Sequence, residues 1–184
     1  MRKHLLIIIC AVVFAACNNE TKEPATETTV SPTASSESKP GPVEFADSKY
    51  MEIGKKTLAA LSSGDMDTWI NSFADNAAYR WGSGDSLIGK KAIGDYWRKR
   101  RLEVIDSLTY SNDIWLPVKV NEPQQQVQAP GVWLLGWYQV NAKYKTGKRM
   151  MQWSHVDMHF DSQDKVDILI QYIDRVPINE AMKK

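Results

Sequence analysis

Residues 132–160 read VWLLGWYQVNAKYKTGKRMMQWSHVDMHF and decide the fold of this chain. Aromatic and β-branched residues fill two runs on either side of a turn at residues 146–148, which contains a glycine. Such runs joined by a short turn are typical of a β-hairpin. A second turn at residues 161–164 leads into a third apolar run over residues 166–174. The sequence therefore predicts a meander of antiparallel strands.

Upstream of this hairpin, the spacing of apolar residues changes from strand-like to mostly helical. Three helices and two strands are predicted there: helices over residues 47–62, from residue 65, and over 90–101, and strands over 78–81 and 108–120. A short helical tail is expected from Pro177. Helices followed by long antiparallel strands indicate the α+β class, in which a curved sheet with three helices on one face encloses a conical cavity.

The order of these elements resembles the NTF2-like fold, and within it the SnoaL-like group, over residues 49–174. The segments that carry the resemblance are LSSGDMDTW (61–69), FADNA (73–77), IGKKAI (88–93), HFDSQDKV (159–166) and IQYID (170–174). Asp164 departs from the pattern, because a glycine is usual at that position. The resemblance implies a cone that hosts isomerases, dehydratases, cyclases, epoxide hydrolases or domains that only bind or dimerise.

The first 16 residues are typical of a bacterial secretory signal peptide. The basic segment MRKH is followed by an apolar run over residues 5–16, which is shorter than the roughly 20 residues of a membrane-spanning helix. The sequence FAAC at 14–17 resembles a lipobox, although leucine is commoner than Phe14. Cys17 is therefore the predicted lipid attachment site. An unlipidated secreted protein or an uncleaved anchor is the alternative, and both export the domain.

Residues 17–44 comprise Cys17 and a predicted disordered linker. Thr, Ser, Glu, Pro and Lys dominate the linker, which has no aromatic residue and cannot offset its ordering entropy by burial. All seven Trp and all seven Tyr lie in the predicted domain, residues 45–184. The protein is expected in the cell envelope, held on the outer or cytoplasmic membrane by the acylated Cys17 and facing the periplasm or exterior. The mature chain keeps one cysteine, so no intramolecular disulfide is expected.

The charges of the chain nearly balance, with 23 Lys and Arg against 22 Asp and Glu, so nucleic acid is not an expected partner. The basic cluster at residues 98–101 is interpreted as the solvated face of an amphipathic helix. No cofactor or metal is expected. His155 and His159 would lie about 13 Å apart on a strand, too far to share a zinc ion. There is also no glycine-rich phosphate loop and no nucleophile elbow around a serine.

The predicted strand that ends the hairpin has one polar and one apolar face, because its side chains alternate. The polar face comprises Trp153, His155, Asp157 and His159, and the other face Ser154, Val156, Met158 and Phe160. Two orientations are open, with either the apolar or the polar face turned toward the cavity. The resemblance favours the polar face, because ketosteroid-isomerase-like members carry an acidic residue pointing into the cone at about the position of Asp157. The apolar face would then meet a second subunit in a homodimer.

Three residues are candidates for catalysis in that orientation. His155 and Asp157 would lie within roughly 7 Å of each other and could act as acid and base. Asp174 matches an acidic catalytic position of SnoaL-like cyclases. Its alternative role is structural, as a carboxylate that closes the strand by bonding to the backbone or to a nearby arginine.

Large aromatic side chains are the candidates for binding a flat apolar ligand. The predicted ligand-binding residues are Trp81, Trp97, Trp133, Trp137, Trp153, His159 and Tyr172. Ordinary core packing is the alternative for each tryptophan.

Three functions remain open from the sequence. The preferred one is a membrane-tethered module that binds a small apolar or amphipathic molecule in its cone. The second is a proton-transfer enzyme of the isomerase, dehydratase or cyclase type that uses His155, Asp157 and Asp174. The third is a protein-interaction dimer without a ligand. A carboxylate with a raised pKa inside a closed pocket would favour the enzyme, and an apolar pocket with paired polar groups would favour binding.

Overall fold

The computed structural model describes residues 39–126 and 128–184. The predicted signal peptide, Cys17 and most of the predicted linker lie outside these residues. In the described part of the chain, no helix combines the length and the apolar character needed to cross a membrane.

The described residues form seven strands and four helices. The strands are β1 (Val43–Phe45), β2 (Phe73–Trp81), β3 (Ser86–Ile88), β4 (Ile105–Val120), β5 (Gly131–Tyr144), β6 (Arg149–Phe160) and β7 (Val166–Tyr172). The helices are α1 (Lys49–Ser63), α2 (Met66–Asn71), α3 (Lys90–Lys99), which continues into a π-helical turn (Arg100–Val104), and α4 (Arg175–Met182). The predicted α+β class is confirmed.

All seven strands belong to one sheet, in the order β1-β4-β5-β6-β7-β2-β3. Neighbouring strands are antiparallel except β2 and β7, which run parallel. The hairpin predicted from residues 132–160 is present, with Val132 opposite Phe160 and Lys143 opposite Arg149. Gly147 in its turn has a φ of 89°, which glycine adopts without the steric cost of a Cβ. The sheet is therefore mostly antiparallel, as predicted.

The long strand β4 bends where its pairing with β5 is irregular. The register shifts between Ser111 and Ile114, and Asn112 within that interval has a φ of 54°. A register shift of this kind marks a β-bulge, in which one strand has an extra residue that bends it and increases its twist. Asparagine is one of the few residues that tolerate a positive φ. The bulge thus contributes to the curvature of the sheet.

The helices pack on the inner face of the sheet, which we define as the face carrying Leu134, Val156 and Met158. These three side chains are at most 1% exposed. Helix α1 lies against β4 and β5, and α3 against β2. The aromatic residues Trp69 and Phe73 pack edge to face with ring centroids 4.8 Å apart. One core thus joins the helices to the sheet.

Several boundaries differ from the sequence prediction. The strand β1 begins within the predicted linker, and β3 follows a segment interpreted only as a turn. Both strands have three residues, too few to show a period of two. Helix α4 begins at Arg175 instead of Pro177, because the Asp174 side chain accepts a hydrogen bond from the Val176 N–H at 2.8 Å. The proline then lies in the first turn, where its missing N–H is not needed.

Candidate functional site

The strand β6 has the opposite orientation to the one that the resemblance favoured. Its apolar side chains at Val156, Met158 and Phe160 are 1%, 1% and 4% exposed and belong to the core. The prediction that Trp153, His155, Asp157 and His159 line the cavity is wrong. Burying the apolar set gains about 1.5 to 3 kcal/mol for each large side chain, whereas burying polar groups is costly.

The same observation excludes the apolar face of β6 as the interface with a second subunit. The side chains of Ser154, Val156, Met158 and Phe160 pack within a single chain and are not available to a partner. The homodimer stays a prediction, without those residues as its interface.

A cavity of about 300 Å³ lies between α3, α4 and the inner face of the sheet. Aromatic and aliphatic side chains make most of its wall: Trp81, Tyr96, Trp97, Ile105, Leu108, Tyr110, Val140, Ala142, Tyr144, Met150, Ile173, Ile178 and Met182. The polar side chains of the wall are Arg100, Gln171, Arg175 and Asn179. Among the described residues, the wall contains no Asp, Glu or His. Trp81 and Trp97 are thus the predicted ligand-binding residues that reach this cavity.

Helix α3 brings an aromatic ring and a cation to the cavity from the same face. Ile93, Trp97 and Arg100 follow one another at helical spacing, so their side chains lie along one side of the helix and its π-helical continuation. Ile93 and Trp97 are 0% and 8% exposed. The indole of Trp97 packs against the indole of Trp69 and the phenol ring of Tyr79, with ring centroids 5.6 and 5.7 Å away. These contacts hold the Trp97 ring in a fixed position.

The basic cluster at residues 98–101 does not act as one solvated face. Arg98 is partly exposed and pairs with Asp67 of α2 at 2.8 Å. Arg101 donates from Nε to the carbonyl of Leu61 at 2.9 Å and from Nη2 to that of Ser62 at 2.7 Å, so it satisfies the last carbonyls of α1. Arg100 turns to the cavity. Sequence analysis missed Arg100, although its spacing from Ile93 and Trp97 was visible.

A buried chain of hydrogen bonds runs through the inner face. The Tyr79 hydroxyl donates to Gln171 Oε1 at 2.6 Å, and Gln171 Nε2 donates to Ser154 Oγ at 3.4 Å. Burial raises the pKa of Tyr79 well above its ordinary value. Burial likewise raises the pKa of Tyr110, which lines the cavity. These phenols stay neutral and contribute hydroxyl groups, not charge, to the site.

Two polar groups of the cavity wall have few partners. Trp97 Nε1 is the one buried side-chain nitrogen or oxygen in the described residues that makes no hydrogen bond. Arg100 is half-buried, and its Nη1 contacts Met182 Sδ at 3.7 Å, which is a weak acceptor. Burial raises the pKa of Tyr144, and the positive charge of Arg100 partly offsets that rise.

The structure brings His155 and Asp157 together on the outer face of the sheet, which is the face opposite the helices. His155 Nε2 lies 2.8 Å from Asp157 Oδ1, and His155 Nδ1 lies 3.0 Å from the Gly136 carbonyl oxygen. The imidazole stacks between Trp137 and Tyr172, with ring centroids 4.5 and 5.6 Å away. Burial raises the pKa of Asp157, and His155 partly offsets that rise. The catalytic assignment of this pair stays a prediction.

The remaining predicted site residues also lie away from the cavity. His159 Nδ1 lies 2.5 Å from Asp167 Oδ1, and His159 packs on Trp133 with ring centroids 5.0 Å apart. Trp153 is 51% exposed. Asp174 caps α4 through the Val176 N–H, in agreement with the structural role that sequence analysis left open.

Comparison with known proteins gives a likeness at the level of structure. No protein-family model matches the sequence. No curated protein matches it either. Solved structures do resemble the domain, among them an LEH-like epoxide hydrolase from M. tuberculosis, with a TM-score of 0.56, 14% sequence identity and coverage of 73% of this chain and 89% of that chain.

Two further structures share the same architecture. An NTF2-like protein from Burkholderia pseudomallei has a TM-score of 0.57 at 10% identity and covers 75% of this chain and 100% of its own. A protein of ketosteroid isomerase-like fold from Catenulispora acidiphila, in complex with trimethylamine, has a TM-score of 0.53 at 10% identity, with 71% and 92% coverage. The predicted NTF2-like fold is confirmed.

Proposed function

We propose that the domain binds a small apolar or amphipathic molecule in the cavity between α3, α4 and the sheet. The observation that carries this proposal is the cavity itself, about 300 Å³ in volume with a mainly aromatic and aliphatic wall. Ligand pockets in proteins span roughly 300 to 1,000 Å³ and combine apolar walls with a few polar groups, as this cavity does. Protein interiors otherwise pack as densely as organic crystals, so a cavity of this size is an unusual feature of the domain.

The structural neighbours support a role with small molecules. One is described as an LEH-like epoxide hydrolase, and another was determined in complex with trimethylamine. At the sequence identities involved, neither ligand nor reaction transfers to this chain. They support only the general idea that proteins of this fold bind or convert small molecules.

An enzyme is the less favoured function because of where the titratable groups lie. A general acid or base must reach the reacting proton directly or through one water. The carboxylates of Asp157 and Asp174 and the imidazole of His155 do not line the cavity. Among the described residues, the side chains that give the cavity wall its polar groups are tyrosines, amides and arginines. That set suits recognition better than proton abstraction.

The proposal can be tested with the mature chain in which Cys17 is replaced by serine, so that no lipid is attached. A panel of apolar and amphipathic metabolites would be screened by native mass spectrometry and thermal shift. We expect at least one compound to bind with one-to-one stoichiometry and to raise the melting temperature. Ala142→Phe would fill part of the cavity and is expected to abolish that shift, whereas Asp157→Asn on the outer face would preserve it. A compound that binds the Ala142→Phe variant as tightly as the wild type does would place the site elsewhere.

A further inference from the structure

We infer that the occupant of this cavity is an anionic amphiphile, whose charged head group is bound by Arg100 and whose apolar part lies against the aliphatic wall. The inference rests on the proposed function and names the class of ligand. It follows from the guanidinium groups that the cavity presents and from the absence of carboxylates among the described residues of its wall.

Arg100 differs from two basic residues of the preceding helix, Lys91 and Arg98. Lys91 and Arg98 on the same helix pair with Asp95 at 2.6 Å and Asp67 at 2.8 Å. Arg100 forms no ion pair with a carboxylate of the described chain; its side-chain partners are neutral, namely the Met182 sulfur at 3.7 Å and the Tyr144 hydroxyl. A half-buried guanidinium has lost part of its hydration, so it gains from a charged acceptor that can replace the lost water.

Trp97 lies one helical turn before Arg100, and both residues line the cavity. Its indole Nε1 is buried without a hydrogen-bond partner in the part of the chain that the structure describes. Because that nitrogen has almost no accessible surface, a ligand in the cavity would contact the ring of Trp97 and not its N–H. Recognition of a charged head group therefore depends on Arg100.

The charges of the wall favour an anion over a neutral or cationic ligand. The wall contributes two guanidinium groups, and within the described residues it contributes no carboxylate to balance them. Arg175 is already engaged, since it pairs with Asp85 and lowers the pKa of that carboxyl below its ordinary value. Arg100 is the guanidinium of the wall without such a partner.

The rest of the wall defines the other part of the ligand. Ile105, Leu108, Val140, Ala142 and Ile178 line the cavity with aliphatic carbon. A small inorganic anion bound at Arg100 would make no contact with these aliphatic side chains. An alkyl or similarly apolar group would fill that space and remove its own apolar surface from water, which favours binding. Carboxylates and phosphate monoesters share the required head-group chemistry.

The experiment compares ligands that differ only in the head group. Dissociation constants of decanoate, decyl phosphate and neutral 1-decanol would be measured by calorimetry on the mature Cys17→Ser protein at pH 7.5. We expect at least one of the two anions to bind about tenfold or more tightly than decanol, as a charge-assisted contact would give. The tighter of the two anions identifies the head group as carboxylate or phosphate.

Variants then assign the effect to Arg100. Arg100→Gln is expected to weaken binding of the anion about tenfold and to leave decanol unchanged, so that the preference disappears. Arg98→Gln is the matched control on the same helix, and it is expected to bind all three ligands as the wild type does. Circular dichroism would verify that each variant is folded. Loss of the preference in Arg98→Gln, or its persistence in Arg100→Gln, would overturn the assignment.

The outcomes separate this inference from the function on which it rests. Equal affinity of the wild type for decanol and for both anions would overturn the anionic head group while leaving a binding cavity in place. Failure of all three ligands, together with failure of the wider metabolite panel, would overturn the proposed function as well.

Discussion

At the scale of single residues, the outer face of β6 holds a partly buried carboxylate beside an imidazole. Both ring nitrogens of His155 face acceptors, the Asp157 carboxylate at 2.8 Å and the Gly136 carbonyl at 3.0 Å. The ring N–H can donate to either acceptor, depending on the tautomer. The rings of Trp137 and Tyr172 cover its two faces. The pair is thus accounted for as part of the outer packing of the sheet.

We expect Asp157 to make stability depend on pH in a defined direction. Burial raises its pKa, with His155 partly opposing the rise, so the folded state holds the proton more tightly than the unfolded state. The resulting penalty is present above the folded pKa and is relieved as the pH falls toward the ordinary value of 3.8. Lowering the pH from 7 to 4 should therefore stabilise the wild type relative to Asp157→Asn. Urea unfolding of both proteins at each pH measures this difference, and a change in the opposite direction would contradict it.

Gly136 is required by a close contact with an aromatic ring. A Cβ at this position would lie 2.3 Å from Trp115 Cζ3, far inside van der Waals contact. We expect Gly136→Ala to destabilise the domain by about 1 to 3 kcal/mol, because the indole must move. Urea unfolding measures the loss. The double variant Gly136→Ala, Trp115→Leu is the control, since a smaller residue at 115 should make the alanine much less costly, and an equal cost in both backgrounds would contradict the steric explanation.

At the scale of elements, α4 covers the cavity and is capped at its N-terminus by Asp174. Asp174 accepts from the Val176 N–H at 2.8 Å, and the helix contributes Ile178 and Met182 to the cavity wall. We expect Asp174→Ala to cost about 1 kcal/mol, the usual loss for an N-cap. Thermal or urea unfolding would show it. A looser α4 would also weaken binding of the ligand.

A conservative variant tests whether Asp174 acts only as a cap. Asparagine caps helices about as well as aspartate, so Asp174→Asn should retain both stability and ligand binding. If Asp174→Asn kept stability but lost a measurable turnover of a substrate, that result would support the acidic catalytic role that the resemblance implied.

At the scale of the whole molecule, the N-terminal predictions await experiment. We expect mass spectrometry of the protein from its native host to find a mature chain that begins at a diacylated Cys17 and partitions with membranes. Cys17→Ser should abolish lipidation and leave the signal peptide uncleaved, because no thiol remains at the processing site. Cys10→Ser is the matched control and should behave as the wild type. A mature chain that begins elsewhere, or a Cys17→Ser variant that still carries the lipid, would contradict the lipoprotein prediction.

Much of the fold was predictable because local rules act over short stretches of chain. The aromatic and β-branched runs in residues 132–160 and the glycine-containing turn at 146–148 predicted β5, β6 and their pairing. Helical spacing similarly placed Ile93 and Trp97 on one side of α3. The short strands β1 and β3 escaped detection, because three residues carry no period and their pairing depends on distant segments.

The sequence by itself determined which side chains share a face of β6, and the tertiary structure decided which face is buried. Alternation is a local property of an extended chain, so it groups Val156 with Met158 and His155 with Asp157 whatever surrounds the strand. Which group meets the helices depends on the packing of all the elements together, and there the gain from burying apolar surface exceeded what a polar face could offer. Arg100 follows the same rule. Its position in the π-helical continuation of α3 follows from local spacing. Its lack of a carboxylate partner in the described chain depends on which side chains the tertiary structure places around the cavity.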